Sequence, residues 1–224
     1  MSEVSVDPHK LLTPEMTAED LAGTAFEHLA GALRANYTTP DFVTAAAIVT
    51  RAGEIAESLN HHPDMKLGWG RAEFVLTSHD SGGVTSRDVQ LARDIHSLAV
   101  HVGGEPADHI PSVYEIAIDT TEPGNLRPFW KAVLDYVDVD GGDSSSLVDP
   151  RGDGPKVWFQ SMDAARTERN RMHVDVYVPA HNAEARLAAA LAAGGALITD
   201  EFAPDWWVLA DIEGNEVCIC TSAD

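Results

Sequence analysis

The sequence predicts an α+β protein in two parts: an antiparallel sheet with helices on one face, followed by a tandem βαβββ domain. Three observations carry this reading. The first half runs strand, strand, helix, strand, helix, an order that packs long helices against one face of a sheet. The second half passes twice through the order strand, helix, short strands, and repeats of this size are units that bury too little surface alone. Between the halves, Gly103-Gly104-Glu105-Pro106-Ala107 gathers residues that break regular structure, which places the domains at residues 1–104 and 110–224.

The elements follow in order. Met1 to Leu12 is polar and expected to be loosely held. TPEMTAEDLA reads as a short helix with Thr13 or Thr17 as cap and acids in its first turn. Two strand-like runs, Ala25–Leu29 and Leu33–Thr39, make a hairpin across Gly31, with a helical reading of AFEHLAGALRA as the rival. Pro40-Asp41 starts a long helix whose apolar positions Phe42, Ala45, Ala46, Val49, Ala52, Ile55, Ala56 and Leu59 recur at helical spacing. Pro63 stops it. Arg71 to Ser78 reads as a strand, Gly82-Gly83 breaks the chain, and Thr85-Ser86-Arg87-Asp88 opens a helix that runs to Val102.

Beyond the linker, Tyr114 to Asp119 is a strand, Leu126 to Leu134 a helix, and short strands follow to Gln160. The order recurs with a strand at 172–178, a helix at 183–195, and strands near ALITD, WWVLAD and EVCICT.

Charge and composition exclude several roles. The net charge is −21 and no basic cluster stands out, which excludes a nucleic-acid phosphate surface. No apolar run reaches membrane-spanning length, and MSEVSVDPHK lacks a signal-peptide core. Cys218 and Cys220 lie two apart on one strand, a poor geometry for a disulfide. The expectation is a cytoplasmic protein with neither membrane nor nucleic-acid partners.

The candidate chemistry lies in ESLNHHPDMKLGWGRAEFVLTSHDSGGVTSRD, residues 57–88. Glu57 and His61 are four apart and share a helix face if the helix runs on. Pro63 biases His62 towards extended backbone, so the adjacent imidazoles point in different directions. His79 stands at the end of the strand. Imidazoles and carboxylates gathered at element ends suit proton transfer near neutral pH, while a pair of histidines with a third could also hold a metal.

Written as Glu57, three residues, His61-His62-Pro63, five residues, Trp69, nine residues, His79, eight residues, Asp88, the stretch resembles the signature of pterin-4a-carbinolamine dehydratases. The resemblance implies dehydration of a 4a-hydroxytetrahydropterin to the quinonoid dihydropterin, with pterin as substrate and no required metal or redox cofactor. It assigns His61 and His79 to acid and base work and His62 to orienting the pterin. Glu57 and Asp88 set imidazole tautomers, or Asp88 bonds the pterin. Pro63 and Trp69 shape the wall, although core or interface packing serves Trp69 equally well. It also implies a homo-oligomer, and a binding module with a vestigial site is the rival from another class.

FWKAVLDY (129–136), ERNRMHVDVYVP (168–179) and LADIEGNEVCI (209–219) resemble glyoxalase-like members of the vicinal oxygen chelate superfamily. That resemblance implies ligands on the first and last strands of each repeat, here Glu115, His173, Cys218 and either Gln160 or Trp158, depending on how the extra residues near Gly154 are placed. The set is poor in carboxylates, so a tightly bound divalent metal is not expected. Trp158, Trp206 and Trp207 line either a ligand cavity or the core. The ligand of this half, and whether it is an enzyme or a binding module, stay open.

Overall fold

A computed structural model describes residues 7–109, 111–139, 146–164 and 172–221. Residues 1–6, part of the polar leader, and residues 168–171, the start of the stretch at 168–179, lie outside the described residues. The chain divides into two compact units, 1–113 and 114–224.

In the first unit, α1 (Pro14–Leu21) precedes a hairpin of β1 (Glu27–Leu29) and β2 (Ala32–Thr38), then α2 (Phe42–Leu59). A second hairpin, β3 (Asp64–Gly68) and β4 (Arg71–Leu76), leads to α3 (Ser86–Val102) and the short β5 (Glu105–Pro106). The sheet order is β1-β2-β4-β3, with β5 also paired to β2, and every pairing is antiparallel. Strand alternation buries Leu33, Ala35 and Tyr37 of β2 and Ala72, Phe74 and Leu76 of β4. These meet Ile48, Ala52 and Ala56 of α2 and Leu91, Ala92, Ile95 and Ala99 of α3 in one core.

One alternative is decided, and two details differ from the sequence reading. The helical rival for AFEHLAGALRA gives way to the β1–β2 hairpin, because Ala30 and Gly31 both turn with positive φ. The strand β3 was hidden, since only Met65 and Leu67 mark its alternation. The glycine-rich stretch is built into the first unit: Gly103 caps α3 in the left-handed region, and Glu105–Pro106 pair with Thr38 and Tyr37. A Cβ on Gly104 would lie 2.8 Å from Ile48 Cδ1 and 3.1 Å from the Ala99 carbonyl oxygen, so this glycine serves close packing.

The second unit contains β6 (Glu115–Thr120), α4 (Pro123–Leu134), β7 (Val137–Asp138), β8 (Ser146–Val148) and β9 (Lys156–Ser161). The same order returns as β10 (Val174–Tyr177), α5 (Ala180–Ala192), β11 (Ala196–Thr199), β12 (Trp206–Ala210) and β13 (Glu216–Cys220). Each repeat forms a four-stranded sheet, β6-β9-β8-β7 and β10-β13-β12-β11. In both sheets the first and last strands pair in parallel. One core joins the repeats through Leu126, Phe129, Leu147, Val157, Leu209, Val217 and Ile219. Buried Asp211 organises the DIEGN turn, accepting from the Glu213 and Asn215 amides and from Trp130 Nε1. Among the described residues, no helix is long and apolar enough to cross a membrane.

Candidate functional site

The histidine pair sits where α2 ends. Asn60 takes a left-handed conformation with φ 48°, and the His61 amide donates back to the Ala56 carbonyl at 3.0 Å. This tight cap turns His61 inwards while His62, before Pro63, stays exposed. Glu57 and His61 therefore do not pair across a helix face. Glu57 instead meets the next imidazole, with Oε2 3.0 Å from His62 Nε2 and both side chains open to water.

His61 has a different partner. Its Nε2 lies 2.8 Å from Asp88 Oδ1, and the Asp88 side chain has no exposure. Asp88 completes a capping box at the start of α3. Its Oδ2 accepts from the Thr85 amide at 2.7 Å and the Ser78 hydroxyl at 2.7 Å, with the Thr85 hydroxyl at 3.2 Å. With Oδ2 occupied by donors, Oδ1 is the acceptor for His61. The imidazole proton then rests on Nε2 and the lone pair on Nδ1. Full burial closes Asp88 to a pterin, so contact with substrate, one of its two expected roles, is not available to it.

His79 begins the loop that a Ser78–Gly83 bridge closes, and it is exposed. Its neighbours fix that loop. Asp80 takes a two-pronged contact from Arg87, and this guanidinium holds the carboxyl down at about 2. His9 Nδ1 lies 3.2 Å from Ser81 Oγ, and the Leu12 amide donates to the Val84 carbonyl. The loop is thus pinned from both sides while the His79 ring faces solvent.

Trp69 is not near these histidines in the fold of the unit. It forms the β3–β4 turn with Gly70 and is 81% exposed. His62 and His79 flank the opposite end of the hairpin, one β3 length away, roughly 17 Å at the usual strand rise. Pro63 stays beside the pair at the start of β3. Thr85 is the N-cap of α3, as its place at the helix opening suggested, but its bond to Asp88 was not foreseen, and Ser78 was missed. A hydroxyl residue three before a carboxylate at a helix start is the available signal for Thr85; the Ser78 contact needs the fold.

In the second unit the four candidate ligands do not converge. Glu115 pairs in register with Lys156, 3.6 Å away, and Gln160 lies opposite Asp119. Among the described residues, the donors within 4.8 Å of one another are those of His173, Asp175 and Cys218. Asp175 was missed, although the His-x-Asp spacing puts both side chains on one strand face, and the register then sets Asp175 beside Cys218. His173 Nε2 is 3.3 Å from Asp175 Oδ1, and burial, then the Asp175 carboxylate, pushes the Cys218 thiol up to about 12. Trp207 packs in the core, while Trp206 stacks on Phe202 with centroids 4.4 Å apart.

Residues 10–98 match the family model for pterin 4 alpha carbinolamine dehydratase, and residues 115–220 match that for a glyoxalase-like domain. A protein of Mycobacterium avium, provisionally named a pterin-4-alpha-carbinolamine dehydratase, is 42% identical over 79 residues. That match spans 35% of this chain and 82% of the relative. A Brucella melitensis structure titled transcriptional coactivator/pterin dehydratase is 28% identical, covering 40% of this chain and 99% of that one with a TM-score of 0.38. A Burkholderia phytofirmans enzyme of the glyoxalase/bleomycin resistance protein/dioxygenase family is 18% identical, covering 49% and 97%, with a TM-score of 0.40.

Proposed function

This chain belongs to the pterin-4a-carbinolamine dehydratase family through residues 10–98, with a glyoxalase-like domain at residues 115–220, and we propose that it dehydrates a 4a-hydroxytetrahydropterin. The observation that carries the reading is the His61–Asp88 pair, a histidine oriented by a carboxylate that water and substrate cannot reach. In the reaction the N5 proton goes to a base and the N5–H electron pair forms the C4a=N5 bond. The C4a–O bond breaks as an acid protonates the departing hydroxyl, giving water and the quinonoid dihydropterin. His61 takes the N5 proton at Nδ1, its free nitrogen. His79, exposed on its pinned loop, protonates the hydroxyl, and His62, steadied by Glu57, orients the pterin. Both protons return through solvent, so no metal or redox cofactor is needed.

The test supplies 4a-hydroxytetrahydropterin and follows quinonoid dihydropterin. Turnover above the spontaneous rate, lowered about a hundredfold or more in His61→Ala and His79→Ala, is expected. Pterin binding without turnover would instead mark a binding module with a vestigial site. Family membership also supports a homo-oligomer, which light scattering on the whole chain tests.

For the second unit we infer a weak, exchangeable metal site. The imidazole, carboxylate and thiol at His173, Asp175 and Cys218 suit an ion such as zinc in type, and would supply Lewis-acid chemistry with an ion bound. The set is short in strength. Three donors leave the shell incomplete, the thiol must surrender a proton, and His173 and Asp175 are open to water.

A further inference from the structure

We propose that Ser78 is a positioning residue for the dehydration, setting the His61 tautomer through Asp88 while anchoring the loop that carries His79. The proposal rests on the dehydratase reading above. Ser78 is 1% exposed, and its hydroxyl faces both Asp88 Oδ2 at 2.7 Å and Thr85 Oγ1 at 2.8 Å. Each hydroxyl has one proton. The Arg87 amide donates to Thr85 Oγ1 at 3.2 Å, which marks that oxygen as an acceptor. Of the two arrangements that use each hydroxyl proton once, the shorter contact to Oδ2, 2.7 Å from Ser78 against 3.2 Å from Thr85, selects Thr85 O–H to Ser78 Oγ, then Ser78 O–H to Asp88 Oδ2. A chain of this kind polarises each successive bond, so the Ser78 donor is the strongest side-chain constraint on Oδ2.

That constraint decides what Oδ1 does. While Oδ2 is held by Ser78 and the Thr85 amide, the carboxylate cannot swing, and Oδ1 stays on His61 Nε2. Removing the Ser78 hydroxyl leaves Oδ2 one firm donor short on a fully buried carboxylate. The carboxylate then rotates towards the remaining donors, and His61 is free to move its proton to Nδ1, the nitrogen the reaction needs as a lone pair.

The backbone of the same residue closes the loop. The Ser78 carbonyl accepts the Ser81 amide at 3.0 Å and the Gly82 amide at 2.9 Å, and the Ser78 amide donates to the Gly83 carbonyl at 3.0 Å. His79 is the next residue. One serine thus sets the base through its side chain and the placement of the acid through its main chain.

The experiment compares the full-length protein with Ser78→Ala, Ser78→Cys and Ser78→Thr, reading the His61 imidazole by ¹⁵N NMR without substrate and kcat against pH with it. Wild type should show the proton on Nε2. In Ser78→Ala the tautomers should mix and kcat fall roughly tenfold, a fraction of what loss of the base itself costs. Ser78→Thr, which keeps the hydroxyl, should restore both readings. Should Ser78→Ala fail to fold, Ser78→Cys, with its weak donor at nearly the same volume, is expected to show the same loss. A pure Nε2–H tautomer and wild-type kcat in whichever of Ser78→Ala and Ser78→Cys folds would overturn the proposal. Absence of turnover in wild type with the tautomer response intact would overturn the dehydratase reading and leave the hydrogen-bond relay standing.

Discussion

His61 and Asp88 meet at 2.8 Å with the carboxylate wholly out of water, whereas His173 and Asp175 meet at 3.3 Å with side chains 51% and 43% exposed. Both are histidine–carboxylate contacts, and both lie where a helix or strand begins or ends. In the first, the Thr85 amide and the Ser78 hydroxyl, each at 2.7 Å, fill the second carboxylate oxygen, so the geometry has one solution. In the second, water competes for both groups and screens the charge between them. The difference shows that a contact pair orients chemistry only when its outer oxygen is also accounted for.

The largest expected effect breaks the first pair and spares the second. Asp88→Asn should lower dehydratase turnover about a hundredfold, because an amide cannot accept the same donors on both atoms. It should also cost about 1–3 kcal/mol of stability through unsatisfied buried groups. Asp175→Asn should leave turnover unchanged and move stability by less than about 1 kcal/mol. Parallel turnover assays and urea unfolding check both, and similar losses in the two variants would dissolve the contrast.

A smaller effect is pH dependence within the first unit. Tyr37 is fully buried, its hydroxyl is 3.0 Å from His96 Nδ1, and the Ala25 amide also donates there at 3.3 Å. Burial holds the His96 imidazole below its ordinary value of 6.5. A depressed histidine is neutral in the fold while the unfolded chain already binds the proton. Stability is therefore full above about pH 6.5 and falls as the pH drops through the folded value. The urea midpoint of wild type should decline over that window, and His96→Gln should flatten the decline. A wild-type midpoint flat from pH 7.5 to 5.5 would remove His96 from the account.

Smaller again is Glu57→Gln. Glu57 and His62 are paired in the open, like His173 and Asp175, so the variant should change kcat by no more than about threefold, the scale of an exposed pair. A loss as large as that of Asp88→Asn would place Glu57 with the buried group instead.

What could be read from the sequence follows the same division. Long helices, the first hairpin and the repeat order were legible, since periodicity and breakers act over many residues. Between Glu57 and Asp88 the candidate residues could be named from the chain, but not how they pair. The turn at Asn60 redirects Glu57 from His61 to His62, and a single left-handed residue sends no signal along a helical pattern. Trp69 looked close because it lies between the histidines in the chain, yet a hairpin carries it to the far end of the sheet. Asp175 was overlooked because ligand positions were compared between repeats, whereas the contact is made between neighbouring strands within one.

The smallest expected effect is that of metal removal. Dialysis of the whole protein against a strong chelator should leave dehydratase turnover unchanged, since the proposed proton transfers use imidazoles already placed by protein donors. The second unit should behave differently towards the ion itself. Added zinc is expected to bind the His173, Asp175 and Cys218 donors and to leave on a mild chelator wash. The thiol proton opposes binding at neutral pH, so uptake should strengthen as the pH rises and release a proton for each ion bound. His173→Ala should abolish the uptake without touching the dehydration. Elemental analysis before and after the wash reads the site. One equivalent of metal surviving the wash, and lost in His173→Ala, would show that three donors there hold an ion more firmly than their exposure allows, making metal chemistry the leading role for that domain.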